Sequence, residues 1–263
     1  MSPIRSLLIG ACATFAIAMP LAVLPAVPGA AQDLSNPGSA FGEDLPTQEY
    51  VNVITKTTRG HRIGKADAEA ELIEFISYTC GHCADFARQA DGTLDVVAIG
   101  PGQVAVEVRP VIRNYLDLVV TLLVQCGDTQ NFKNRHRMYL YSQDDWLQKA
   151  INAPQSQQAA WARGDAAARL SAARALDLDD KLAQQGMSLA RINTCLADDA
   201  SAQAIMAADK ADRAEFGITG TPTFALDGKT LKDTHDWPAL STVLQERFRP
   251  ASQQSVTNGR FGG

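Results

Sequence analysis

Hydrophobic positions fall into three patterns along this chain. The first is a near-continuous apolar run at Leu72-Ile73-Glu74-Phe75-Ile76-Ser77-Tyr78, followed after Thr79 by a cysteine. A short run of this kind predicts a strand covered on both faces. A second, Val104-Ala105-Val106-Glu107-Val108, ends near Pro110, and a third, Thr223-Phe224-Ala225-Leu226, leads into Asp227-Gly228, a hairpin turn signal with Lys229-Thr230-Leu231 as partner. Between the second and third strands apolar residues recur at helical spacing: Leu116 to Cys126 ending on Gly127, Phe132 to Trp146, Ala166 to Leu176, a helix after Ser188, and Ala200 to Phe216 ending on Gly217. Cys83 to about Ala90 predicts a helix with Phe86, Ala87 and Ala90 inward, and Trp237, Leu240, Leu244 and Phe248 mark a closing helix. Strands, a helix, a helical block, a hairpin and a helix together predict one α/β domain interrupted by a helical insertion at about 116–212.

The two ends of the chain differ from this body. Met1 to Arg5 carries one positive charge, an apolar stretch runs from Leu7 to about Val27, and Gly29-Ala30-Ala31 closes it with small residues. That order predicts a secretory signal peptide over 1–31, cut after Ala31, and hence a periplasmic or secreted protein. An uncleaved anchor and a lipidated Cys12 are the competing readings. Residues 32–47 are rich in Asp, Ser, Pro and Gly and predict a flexible lead-in; 48–249 is the folded domain; 250–263 is a polar, Gly-rich tail expected to be disordered.

Composition narrows the function. The 263 residues are 46% hydrophobic and 20% charged, enough for a sizeable core, and a net charge of −5 with no dense Lys/Arg cluster argues against nucleic-acid binding. His61, His136 and His235 lack ligand spacing and read as surface or capping residues. Trp146, Trp161 and Trp237 read as packing.

Four cysteines follow the leader. Cys80 and Cys83 form a C-x-x-C, which leaves Cys126 and Cys195 as the natural second pair; two free thiols, or a four-cysteine zinc site, are the alternatives. Haem attachment would need a histidine where Ala84 stands. A pair at a strand-to-helix junction suits thiol–disulfide exchange, because unpaired N–H groups and the helix dipole favour the first thiolate. Cys80 is therefore the attacking, exposed sulfur and Cys83 the resolving, buried one. His82 between them is placed to favour the Cys80 thiolate. Glu74, a carboxylate inside the apolar strand, predicts a raised pKa and a proton acceptor for Cys83.

Cys80-Gly81-His82-Cys83 after an apolar strand, with Thr221-Pro222 opening a later one, resembles the thioredoxin superfamily. The helical insertion, Glu74 six residues before Cys80, and Gly217-Ile-Thr-Gly-Thr-Pro-Thr-Phe224 resemble the DsbA-like exported oxidoreductases more closely, over about Tyr50 to Phe248. The resemblance implies a cis Pro222, Thr221 facing the cysteines, and a substrate segment pairing beside Gly81, Thr221 and Pro222. It also agrees with a structural disulfide Cys126–Cys195, which would close a loop of about 70 residues and contribute roughly 4 kcal/mol in the chain-entropy picture. No cofactor or metal is implied. The expected partners are reduced exported polypeptides and a membrane quinone-linked reoxidase, with the protein a monomer. An isomerase or reductase on the same fold, and a thiol-based copper-binding or chaperone module, are the rival functions.

Overall fold

The computed structural model describes residues 48–249; the expected leader with Cys12, the lead-in and the C-terminal tail lie outside the described residues. A six-stranded sheet runs in the order β1-β2-β4-β3-β5-β6, with β1 Ile54–Lys56, β2 His61–Ile63, β3 Ala70–Ile76, β4 Val104–Pro110, β5 Thr223–Leu226 and β6 Lys229–Thr230. β3 and β4 are parallel, from Ala70 opposite Val104 to Ile76 opposite Pro110, and every other pairing is antiparallel. This is a thioredoxin-like sheet, and β3 lies at its centre.

β3 is apolar on both faces because both are covered. On one, Leu72 and Ile76 join a core with Phe86, Ala87, Ala90 and Leu94 of α1 (Gly81–Leu94). On the other, Ile73 and Phe75 pack with Val111, Phe216, Ile218 and Ala225. Phe216 ends α9 (Asp199–Phe216), which is tied to the sheet by Arg109, bonded to both Glu107 and Asp212, and by Arg59, bonded to Asp212 and Glu215. Asp212 therefore lies within a continuous helix that belongs to the sheet core, and the insertion has no break there.

The insertion is wholly helical: α2 Tyr115–Val124, α3 Phe132–Tyr141, α4 Gln143–Asn152, α5 Gln155–Trp161, α6 Ala166–Ala175, α7 Leu178–Gln184 and α8 Leu189–Ala197, leading into α9. Its apolar residues continue the core of the sheet. The single helix expected over Phe132 to Trp146 is two helices meeting at Ser142, whose backbone (φ −99, ψ 18) leaves the helical region. α8 starts at Ser188, whose side chain accepts from the Arg191 N–H, and α9 stops at Gly217, whose φ of +64 is left-handed. α10 (Trp237–Arg247) closes the domain, capped by Asp236. Among the described residues no helix is long and apolar enough to cross a membrane.

The histidine expectation needs correcting. His61 and His136 are buried, 2% and 3% exposed, on either side of Phe132, and His136 Nδ1 lies 3.0 Å from the Tyr78 hydroxyl. Burial lowers His61 to about 4 and His136 to about 3, so both are neutral packing residues at neutral pH.

Candidate active site

β3 delivers the chain to the loop Ser77-Tyr78-Thr79, and Cys80 follows as the N-cap of α1 in an extended conformation (φ −94, ψ 117). The Cys83 and Ala84 N–H groups both donate to the Cys80 carbonyl, so the helix starts on the cysteine itself. Both cysteines are free thiols. Cys83 is fully buried and Cys80 only 5% exposed, so the open first sulfur expected from the sequence is in fact largely covered. One cover is the loop before β5: the Thr221–Pro222 peptide is cis, and Cys80 Sγ lies 3.2 Å from the Thr221 carbonyl oxygen.

The two sulfurs differ sharply. A hydrogen bond from the Cys83 thiol is the main influence holding Cys80 down, to about 5. Contact with Thr221, the Cys83 N–H and the charge of Arg113 act in the same direction, against the effect of burial. Burial pushes Cys83 well up, reinforced by its bond to Cys80 and by the Cys80 charge. One sulfur is thus a thiolate at neutral pH and its neighbour a thiol. His82 is exposed and is not among the main groups acting on Cys80; Arg113, which sequence reasoning missed, is. Gly81 is exposed too, and a Cβ there would meet nothing within 4 Å, which leaves open space above the pair.

Glu74 lies on the α1 side of β3, sharing a face with Leu72 and Ile76. It is 3% exposed, and its Oε1 has no hydrogen-bond partner. Burial raises it well above the ordinary carboxylate range, nearby Asp91 raises it further, and Arg137 opposes. Around it, Arg137 bonds Asp91 (3.0 Å) and Asp95 (2.8 Å), and Lys133 pairs with Asp95 (2.7 Å). Three carboxyls facing two cations leave one to stay neutral. Glu74, with no direct cation bond, is that one. It borders a cavity of about 20 Å³, room for one water, lined also by Asp91, His136 and Arg137.

Three further residues hold the site. Asp117, fully buried on α2, accepts from Ser77 Oγ (2.8 Å), Thr79 N (2.9 Å), Thr79 Oγ1 (3.2 Å) and Arg113 N (2.9 Å). Gln143 bonds the loop from α4, and His235 Nδ1 lies 3.0 Å from the Pro222 carbonyl. An acid inside Tyr-Leu-Asp-Leu-Val-Val was the one sequence signal for Asp117; the other two had none. Away from this site, Cys126 and Cys195 are joined by a disulfide with a Cα–Cα distance of 5.7 Å, linking the end of α2 to α8.

Comparison with known proteins agrees with this geometry. A protein-disulfide isomerase of Novosphingobium aromaticivorans superposes with a TM-score of 0.71 at 31% identity, over 73% of this chain and 99% of its own. Alpha-DsbA1 of Wolbachia pipientis shares the fold (TM-score 0.56, 20% identity, 70% of this chain and 88% of its own). A Rickettsia typhi protein, provisionally named a protein-disulfide oxidoreductase, is 29% identical over 114 residues, 41% of this chain and 42% of its own length. The family profile described as Thioredoxin matches residues 56–246, and on that span the chain belongs to the thioredoxin family.

Proposed function

We propose that this protein is an exported thiol:disulfide oxidoreductase that introduces disulfides into reduced polypeptides through Cys80 and Cys83. The observation that carries the reading is the contrast between the two sulfurs: Cys80 held down to about 5 at a helix N-terminus, Cys83 buried and pushed up beneath it. A thiolate this stable is a good leaving group and favours the reduced protein, which makes its disulfide oxidising.

In the oxidised protein a substrate thiolate attacks the Cys80 sulfur. The Cys80–Cys83 bond breaks, the mixed disulfide forms, and Cys83 leaves as a thiolate that takes a proton from the neutral Glu74 carboxyl. A second substrate thiolate attacks the substrate sulfur of the mixed disulfide. The substrate leaves with its new disulfide and Cys80 leaves as a thiolate. Two electrons have passed to the protein, and a membrane quinone-linked reoxidase of the DsbA-like kind would remove them. The substrate strand lies in the open space over Gly81 and beside Thr221-Pro222, where it can pair with backbone. The signal-like N-terminus supports a reaction in the periplasm or outside the cell.

A second reading, disulfide isomerisation, is favoured by the name of the Novosphingobium relative. The reduction potential of the Cys80–Cys83 pair, measured by equilibration with glutathione, separates donor from reductase. A value above about −180 mV supports oxidation, and a value near or below about −230 mV overturns it. Isomerisation is tested by recovery of a scrambled, disulfide-bonded substrate, with light scattering to ask whether the protein is a monomer.

A further inference from the structure

Residues 77–80 belong to neither β3 nor the body of α1, so their backbone groups must find partners elsewhere. Asp117 satisfies the N–H and hydroxyl side of the loop. The carbonyl side is more exacting. Tyr78 is 2% exposed, and its carbonyl accepts no backbone N–H among the described residues. Its partner is Gln143, the first residue of α4, whose Nε2 donates 2.7 Å to the Tyr78 carbonyl and 2.9 Å to the Cys80 carbonyl. Gln143 is 1% exposed. Both partners only accept, so the amide orientation is fixed and each of its two protons is used once.

The second of these carbonyls is the one that starts the active-site helix. Cys80 O also receives the Cys83 N–H (3.1 Å) and the Ala84 N–H (3.2 Å). Turning that peptide plane would undo the first turn of α1 and swing Cys80 Sγ away from both Cys83 and the Thr221 carbonyl. A main-chain group that fixes a reactive side chain acts at a distance of a few bonds, and small displacements there are felt in reactivity.

We propose that Gln143 is a positioning residue for the exchange reaction: from the helical insertion it clamps the two carbonyls flanking Thr79 and so holds Cys80 against Cys83 and Thr221. It touches no reacting atom. The proposal rests on the reading that Cys80 is the sulfur that forms the mixed disulfide.

The test uses the full-length reduced protein. The Cys80 thiolate is titrated by its ultraviolet absorbance, and its alkylation rate by iodoacetamide is followed against pH, in wild type, Gln143→Met, Gln143→Asn and Trp146→Phe. Methionine keeps the size and loses both donors. Asparagine keeps the amide but is too short to span both carbonyls, a milder change that serves if the methionine variant does not fold. Trp146→Phe, on the next turn of α4, loses the Nε1 bond to the Tyr139 carbonyl of α3 (3.0 Å) and reports on helix destabilisation alone. The expected result is a titration midpoint raised by about one unit in Gln143→Met, roughly a tenfold loss of thiolate below it, with a smaller rise in Gln143→Asn and none in Trp146→Phe. A midpoint within about 0.3 unit of wild type in a folded Gln143 variant, or an equal rise in Trp146→Phe, overturns the proposal. A wild-type Cys80 that titrates in the ordinary thiol range would instead remove the reading beneath it.

Discussion

The molecule holds two cysteine pairs, and their surroundings have little in common. Cys80 and Cys83 sit one helical turn apart at the N-terminus of α1, among N–H donors, a thiol, a carbonyl and the charge of Arg113. Cys126 and Cys195 are 69 residues apart in sequence and lie among packed insertion helices, with the Met187 thioether 3.4 Å from Cys126 Sγ. The first environment stabilises a thiolate; the second offers soft, apolar contact. On the proposed function, the same covalent bond would be labile in one place and a staple in the other. What separates them is the groups that would receive the charge once the bond opens.

The largest expected effect breaks the comparison at its reactive end. Cys80→Ser should reduce oxidation of a dithiol peptide by at least about a thousandfold, since Cys83 alone leaves the site with no disulfide for a substrate thiolate to open. Retained turnover would show that the mechanism is wrong. At the other end, replacing Cys126 and Cys195 together by Ser should cost about 4 kcal/mol of unfolding free energy, read from denaturant midpoints, because the closed loop is long. The same variant should exchange thiols within about twofold of wild type. A tenfold loss would mean that the two pairs are coupled through α2, which carries Cys126 just beyond one end and Asp117 in its first turn.

How far the sequence reveals this contrast depends on the range of each interaction. The C-x-x-C, the central strand and Thr221-Pro222 are local patterns, and each carries its own chemistry in a few adjacent residues. Glu74 was visible because a single acid broke an apolar run. β1 and β2 were not, since three-residue strands such as Ile54–Lys56 have too few positions to display alternation. Gln143 lies in a polar Ser-Gln-Asp-Asp stretch that the helical spacing from Phe132 to Trp146 runs straight through. Its importance comes from two carbonyls more than sixty residues away, and no periodicity records that. His61 and His136 were misread for the same reason: the ring of Phe132 that stacks on both is a tertiary contact in the case of His61.

A smaller effect sharpens the reactive side. Glu74→Gln keeps the shape and removes the proton carrier beneath α1. Formation of the mixed disulfide, the step in which Cys83 leaves and is protonated, should slow by about a hundredfold, the low end of what a general acid–base group contributes. Stability should not fall, because a carboxyl kept neutral by burial loses nothing when it becomes an amide of the same size. Stopped-flow measurement of mixed-disulfide formation by the oxidised protein, with a denaturant melt alongside, checks both halves. An unchanged formation rate would leave Glu74 a purely structural acid.

The smallest effect is a slope. When the Cys80–Cys83 disulfide is reduced, it gains two electrons and as many protons as the two sulfurs bind. Cys80 is held to about 5 and Cys83 is raised above the ordinary thiol value. Between those limits the reduced pair binds one proton, and below about 5 it binds two. The reduction potential should therefore fall as pH rises by about 30 mV per unit through neutrality, and by about 59 mV per unit at pH below the Cys80 midpoint. The sign follows from mass action: raising pH removes the protons that reduction consumes, so the oxidised form gains. The Cys126–Cys195 pair is the contrast: two ordinary thiols each bind a proton below about 8.5, so its potential should follow the steeper slope through neutrality. A steeper slope for Cys80–Cys83 at neutral pH would mean that Cys80 is a thiol there, and the difference between the two pairs would then have to come from exposure and strand geometry rather than from charge.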